Sequence, residues 1–278
     1  MDDTRIKNIL AGVLEGGGKL TVLTGAGISA ESGIPTFRGP EGYWTVGSKV
    51  YQPQQMATRE MFKRHPEHVW QWYLYRLGVC QGAEPNSGHA ALAEMESLLG
   101  SRFALITQNV DNLHLRAGNS SQRTFQIHGN IFFVRCFAEC RQAISPLPKG
   151  ITGKGRDEKI TAAEKELLRC PLCGNWLRPH VLWFDETYNE HYYRAAGALN
   201  VARETSLLLV VGTSGATNLP LQVAAQVYAA SGIIIDINLE PNPFSRLAEQ
   251  SALGGFIQQP AAATLPRIRD ILKSLLKT

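Results

Sequence analysis

The chain has 278 residues, enough for about two domains of roughly 150 residues each or for one large α/β domain with an inserted module. Hydrophobic residues make up 44% and charged residues 19%, a globular composition that excludes disorder, and the net charge of 28 − 24 = +4 demands no nucleic-acid partner. No run of about 18 apolar residues is present to span a membrane, and Met1-Asp2-Asp3-Thr4-Arg5 lacks the apolar stretch of a signal peptide, so a cytoplasmic chain with reduced cysteines is expected.

Ile6, Ile9, Leu10, Val13 and Leu14 recur at helical spacing over residues 4–16, and Gly16-Gly17-Gly18 ends that helix. Leu20–Thr24 reads as a buried parallel strand. Residues 36–85 hold an aromatic-rich helical stretch around Trp70, Trp72 and Tyr73. Further strands are expected at Phe103–Thr107, Leu207–Val211 and Ile233–Ile237, with helices at 87–99, 219–230 and 264–277. This alternation predicts an α/β fold with a doubly wound, Rossmann-like parallel sheet. An inserted helical segment and a small cysteine-bearing module interrupt it. In such sheets ligands bind beyond the carboxyl ends of the strands.

Gly25-x-Gly27-x-x-Ala30 follows the first strand and fits a dinucleotide-binding turn. A plain strand-to-helix turn fits it equally well, and Gly33 and Pro35 break the helix that normally follows. Cys136-x₃-Cys140 and Cys170-x₂-Cys173 can together close a tetrahedral zinc shell, the alternative being two pairs of free thiols. A zinc deaminase would need proline before the second pair, where Arg169 stands. Cys80 reads as a small core residue. Gln108, Asn109 and Asp111 begin where the second strand ends, and they offer either helix capping or an amide and a carboxylate for a ligand. His128 stands before Gly129-Asn130 at a turn, where it is either structural or a general base. The other six histidines have no comparable setting.

Taken in order, these motifs resemble the sirtuin family, the NAD-dependent protein lysine deacylases, over roughly residues 10–275. The run from Gly25, Ala26, Gly27, Ala30 and Glu31 to Phe37 and Arg38 resembles the family's cofactor loop. Gln108, Asn109 and Asp111 resemble its nicotinamide and ribose motif, and His128-Gly129-Asn130 its catalytic motif. Gly212, Thr213, Ser214, Asn238, Glu240 and, more weakly, Ala261 resemble its later NAD contacts. Cys136, Cys140, Cys170 and Cys173 resemble its structural zinc ligands, one ion per chain. The resemblance implies a single catalytic domain. Its Rossmann-like part covers about 4–35, 86–131 and 178–278, its helical insertion and cofactor loop about 36–85, and its zinc module about 132–177.

The resemblance also implies a reaction. The acyl-lysine oxygen attacks the ribose C1′ of NAD, nicotinamide leaves with Asn109 at the cleavage site, and His128 takes a proton from a ribose hydroxyl. Free lysine and O-acyl-ADP-ribose result. Val181, Leu182, Trp183 and Phe184 resemble the strand that pairs with the acylated substrate peptide. Tyr73 and Arg76, three apart on one helix face, resemble the acidic-acyl motif of class III sirtuins, and Ala57 the small residue that widens their pocket. The expected activity therefore covers acetyl, succinyl and malonyl groups. The expected partners are acylated proteins or peptides, with no nucleic acid, no membrane and a monomeric chain. Asp185 replaces the family's usual glycine, and its charge is expected to favour basic peptides. Residues 215–220 lack the usual apolar run. The alternatives are a mono-ADP-ribosyltransferase, an NAD hydrolase, or a non-enzymatic NAD-sensing or DNA-associated module.

Overall fold

The computed structural model describes residues 1–36, 53–156 and 158–277. Phe37 and Arg38 lie outside the described residues. The strands in chain order are β1 (Lys19–Thr24), β2 (Phe103–Thr107), β3 (Thr124–Gln126), β4 (Gly129–Cys136), β5 (Ile144–Pro146), β6 (Leu177–Val181), β7 (Thr205–Val211), β8 (Ile233–Asn238) and β9 (Gly255–Gln258). Six of them form a sheet in the order β3-β2-β1-β7-β8-β9, and every pairing in it is parallel. The strand order reverses between β1 and β7, and a crevice for a ligand opens at such a reversal.

Both faces of this sheet are covered, so its strands read as near-continuous apolar runs. Period-two alternation still sorts the side chains. Leu20, Val22, Leu207 and Leu209 pack against the helices Asp3–Glu15, Ser87–Leu99 and Ala261–Leu275. Leu23, Leu208 and Val210 face the opposite layer, with Ala198, Val223 and Phe244 from the helices Ala195–Arg203, Asn218–Ala229 and Pro243–Gln250. Asp2 caps the first helix by accepting from the Arg5 amide at 2.8 Å. Asn86 caps Ser87–Leu99, and His89 answers it, its Nδ1 accepting from the Asn86 amide at 3.3 Å.

The second layer is a three-stranded antiparallel sheet, β5-β4-β6. The helix Pro66–Gly82 packs beside it and buries Trp70, Trp72, Tyr73, Leu74 and Leu77. Trp70 Nε1 donates to the Leu177 carbonyl at 2.8 Å, which ties the helix to β6. No described helix is long and apolar enough to cross a membrane.

Candidate active site

The crevice is built from strand ends. Beyond β1 the chain makes only one helical turn, Gly27–Ala30, before the turn that carries Gly33. The Gly27 N–H donates to the Gly212 carbonyl at 2.8 Å. A Cβ on Gly27 would lie 2.6 Å from Gly212 Cα, so the ends of β1 and β7 meet only because both residues are glycine. Around this junction, Asn238 Nδ2 donates to the Thr213 carbonyl at 2.8 Å, and Gln108 Nε2 to Thr213 Oγ1 at 2.8 Å. Ser214 and Glu240 are exposed. Glu31 accepts from the Ala262 amide at 3.0 Å, which brings the end of the glycine loop to the helix that starts at Ala261.

Asn109 and Asp111 lie buried on the floor of the crevice, on one hydrogen-bonded network. Asn109 Nδ2 donates to the Gly25 carbonyl at 3.0 Å and to Ser29 Oγ at 3.1 Å. Ser29 Oγ donates to Asp111 Oδ2 at 2.7 Å, and the Leu113 amide donates to Asp111 Oδ1 at 2.9 Å. Burial raises the Asp111 carboxyl above the usual range, against these hydrogen bonds and the nearby Arg76 charge. His89 and His114, unremarkable in the sequence, back this network with ring centroids 4.9 Å apart. His114 Nε2 lies 2.9 Å from Thr24 Oγ1. Burial holds His89 down to about 4 and His114 well below its ordinary value, so both rings are neutral supports.

His128 follows β3. Its Nδ1 lies 3.0 Å from the Gln108 carbonyl, an acceptor only, so Nδ1 carries the proton and Nε2 the lone pair. Nε2 lies 2.8 Å from the hydroxyl of Tyr188. Burial lowers His128 to about 4, partly offset by the Gln108 hydrogen bond, so the ring is neutral and Nε2 basic at pH 7. Gly129 has φ +82°, and a Cβ there would lie 2.1 Å from the His180 carbonyl oxygen, so glycine alone lets His128 leave β3 and enter β4. The His128 carbonyl accepts from the Leu182 amide at 2.9 Å, which fixes it beside the Val181–Phe184 segment.

That segment forms one wall with the second layer. Ala57, Tyr73, Val181 and Trp183 share one buried apolar cluster. Trp183 Nε1 donates to the Tyr73 hydroxyl at 2.9 Å, and burial pushes the Tyr73 pKa up to about 12. The Arg76 guanidinium is buried, 4.8 Å from the Trp72 ring centre and 5.7 Å from that of Tyr73. Leu182 is half-buried and Phe184 exposed. Glu186 anchors the wall by accepting from two Arg178 nitrogens and, at 3.0 Å, from the Trp183 amide.

Asp185 has a structural partner that the sequence does not reveal. Its carboxylate accepts from the amides of Arg59 at 2.7 Å and Glu60 at 3.1 Å, while Thr58 Oγ1 accepts from Met61. Three of the four open amides of the helix Arg59–Arg64 are thus satisfied. The charge expected to attract basic peptides is engaged at a helix start. Replacing Asp185 with alanine should destabilise the protein by about 1 kcal/mol, the ordinary value of such a cap. Chemical denaturation would measure this, and an unchanged midpoint would show the contact to be idle.

The four cysteines converge. Their Sγ atoms all lie within 4.8 Å of one another, with Cys136–Cys173 at 3.5 Å and Cys140–Cys170 at 3.6 Å. These separations are far too long for disulfides at about 2.0 Å. They match the edge of a thiolate tetrahedron of about 3.8 Å set by zinc–sulfur bonds of about 2.3 Å. Cys80 is buried in the same apolar cluster, as a core residue would be.

A dinucleotide-type parallel sheet, a polar crevice at its switch point and a four-thiol module define the class of protein. The Sir2 family model matches residues 25–218, and the chain belongs to that family. A protein of Leptospira interrogans called NAD-dependent protein deacylase is 38% identical over 258 residues, 91% of this chain and 93% of its own. One of the same name from Pyrococcus furiosus is 39% identical over 255 residues, with the same coverage. Among solved structures, a Sir2 homologue complexed with NAD has a TM-score of 0.78 at 32% identity and covers 99% of this chain and 95% of its own. A mutant Sir2 homologue complexed with ADP-ribose has a TM-score of 0.80 at 30% identity, covering 100% and 98%.

Proposed function

We propose that this chain is an NAD-dependent protein lysine deacylase that removes acetyl, succinyl and malonyl groups and forms nicotinamide and O-acyl-ADP-ribose. The carrying observation is that the basic Nε2 of His128 and the buried Asn109–Asp111 pair meet at adjacent strand ends. Both lie on the β1 side of the point where the sheet order reverses. When bound, NAD supplies an electrophilic ribose carbon and the nicotinamide leaving group. The close approach of the Gly27 and Gly212 backbones, with Thr213, Ser214 and Asn238 beside it, suits the phosphates and ribose of a dinucleotide. Asn109 and Asp111 would hold its carboxamide and inner ribose, and Phe37 and Arg38 would cover it. His128 Nε2 would take a proton from a ribose hydroxyl, and the four cysteines would hold a structural zinc ion. The acylated peptide would run along Val181–Phe184.

The acyl range rests on Tyr73 and Arg76. Tyr73 accepts from Trp183 and keeps its own proton to donate, and the Arg76 fork can bind a terminal carboxylate from the same wall. Ala57, in the same cluster as Tyr73, would be the small residue that widens the acyl pocket. A charge-assisted hydrogen bond contributes about 1.5–3 kcal/mol. Arg76→Met should therefore cut kcat/KM for succinyl-lysine about tenfold to a hundredfold and affect acetyl-lysine less. A panel of acyl-peptides with NAD, read by mass, tests both claims. Equal losses on both substrates would mean that Arg76 supports Asp111 and the fold instead. Free or protein-bound ADP-ribose in place of O-acyl-ADP-ribose would point to a hydrolase or transferase.

A further inference from the structure

We infer that Tyr188, with Thr217 behind it, is a positioning residue for His128. The two form a hydrogen-bond chain in which the Tyr188 link to His128 reverses when His128 takes up a proton. Tyr188 lies just beyond the Val181–Phe184 segment, in the stretch that leads to the helix Glu190–Tyr193. It is half-buried, its ring stacks 5.8 Å from that of His128, and its hydroxyl lies 2.8 Å from Nε2. Burial pushes the phenol up to about 12, and the Thr217 hydroxyl draws it back down. Thr217 Oγ1 in turn donates to Gln108 Oε1 at 3.1 Å. The Gln108 carbonyl holds His128 Nδ1, so the chain closes on the residue from which it starts.

The proton count fixes what the chain does. With His128 neutral, Nε2 has no hydrogen and the Tyr188 O–H donates to it. When Nε2 gains a proton, that arrangement would set two donors against each other. A phenol has one proton and two lone pairs, so Tyr188 can turn its hydrogen to Thr217 Oγ1 and accept from Nε2–H. Thr217 can take it because its own hydrogen is spent on the Gln108 side-chain oxygen Oε1, a terminal acceptor. No covalent bond within the chain changes. Nε2 has one lone pair, so Tyr188 first turns its hydrogen to Thr217; one proton then enters at Nε2 from a bound hydroxyl, and two O–H groups keep their hydrogens. Both protonation states of His128 are then fully hydrogen-bonded, which matters in a buried setting where an unmatched polar group costs about 1–3 kcal/mol.

This inference rests on the deacylase reading for its consequence, and its test separates the two. In the protein without substrate, ring-nitrogen NMR should show His128 as one neutral tautomer with Nδ1–H and a hydrogen-bonded Nε2. In Tyr188→Phe the Nε2 resonance should move to that of an unbonded ring nitrogen. Thr217→Val should perturb it less. With NAD and acyl-peptide, Tyr188→Phe should lower deacylation about tenfold or more. Nicotinamide exchange, which precedes proton removal, should stay within about twofold. Unchanged His128 resonances in both variants would overturn the inference, as would equal losses in exchange and deacylation. If the wild type performs neither reaction, the deacylase reading fails while the resonances still decide whether the chain exists. Should Tyr188→Phe not fold, Thr217→Val carries the same comparison.

Discussion

His128→Tyr is expected to abolish deacylation while nicotinamide–NAD exchange survives in part. Removing a general base costs about 10²–10⁴-fold, and here no neighbour can replace it. Tyr188 holds its proton up to about 12, and Asp111 is engaged by Ser29 and Leu113. In the proposed mechanism cleavage of the nicotinamide bond comes before proton removal, so exchange reports binding without the base. The pH dependence follows from the direction of the shift. His128 is depressed to about 4, so its basic form is full at pH 7 and is lost only as pH falls through about 4. His89 and His180 are depressed by burial as well, to about 4 and about 3. Between these values and the ordinary 6.5 the unfolded chain binds more protons than the native one, so stability also falls as pH drops through that window. Full deacylation by the His128 variant would remove this residue from the mechanism.

The parts of the fold that local pattern governs are legible in the sequence. The helix 87–99 and the strand 103–107 occur within the bounds expected of them, because Asn86 and Gly100 punctuate one and unbroken apolar composition marks the other. The edge strands β3 and β9 are not legible. Each has only three or four residues and gains its identity from a neighbour, Thr124 pairing with Leu105 and Gly255 with Ile235. The helix Ala195–Arg203 is rich in alanine, and Leu199 and Val201 alone are too few to reveal a stripe.

The candidate site divides in the same way. The cysteine pairs announce themselves because chelation demands fixed spacing. Asn109 and Asp111 stand at a strand end, which composition reveals, and His128 at a Gly-Asn turn. What supports them does not show. His89 and His114 sit on apolar helical faces, where a core residue is the plain reading, and their polar role depends on Ser29 and Thr24 from a distant strand end. Tyr188 reaches His128 across 60 residues of chain, and Asp185 reaches Arg59 across 126. Such contacts leave no periodic trace.

Replacing Cys170 with serine is expected to cost the protein its metal and the order of its second layer. Cys136 ends β4 and is buried, as is Cys170, while Cys140 and Cys173 are exposed. The ion would thus sit at the rim and tie the end of β4 to the segment that carries Cys170 and Cys173. Structural zinc in small modules binds with an apparent free energy of about 10–16 kcal/mol, and that energy is folding energy. Cys136 and Cys170 belong to the same apolar cluster as Ala57, Tyr73 and Trp183. Loss of the ion should therefore loosen the acyl wall while the six-stranded sheet, with its separate core layers, persists. Native mass spectrometry should find one zinc per wild-type chain and none in Cys170→Ser. Hydrogen exchange in the variant should rise over 132–177 and in the helix Pro66–Gly82, with β1 and β7 still protected. A wild-type protein that carries no metal and still protects 132–177 would show that the four thiols need no ion to fold.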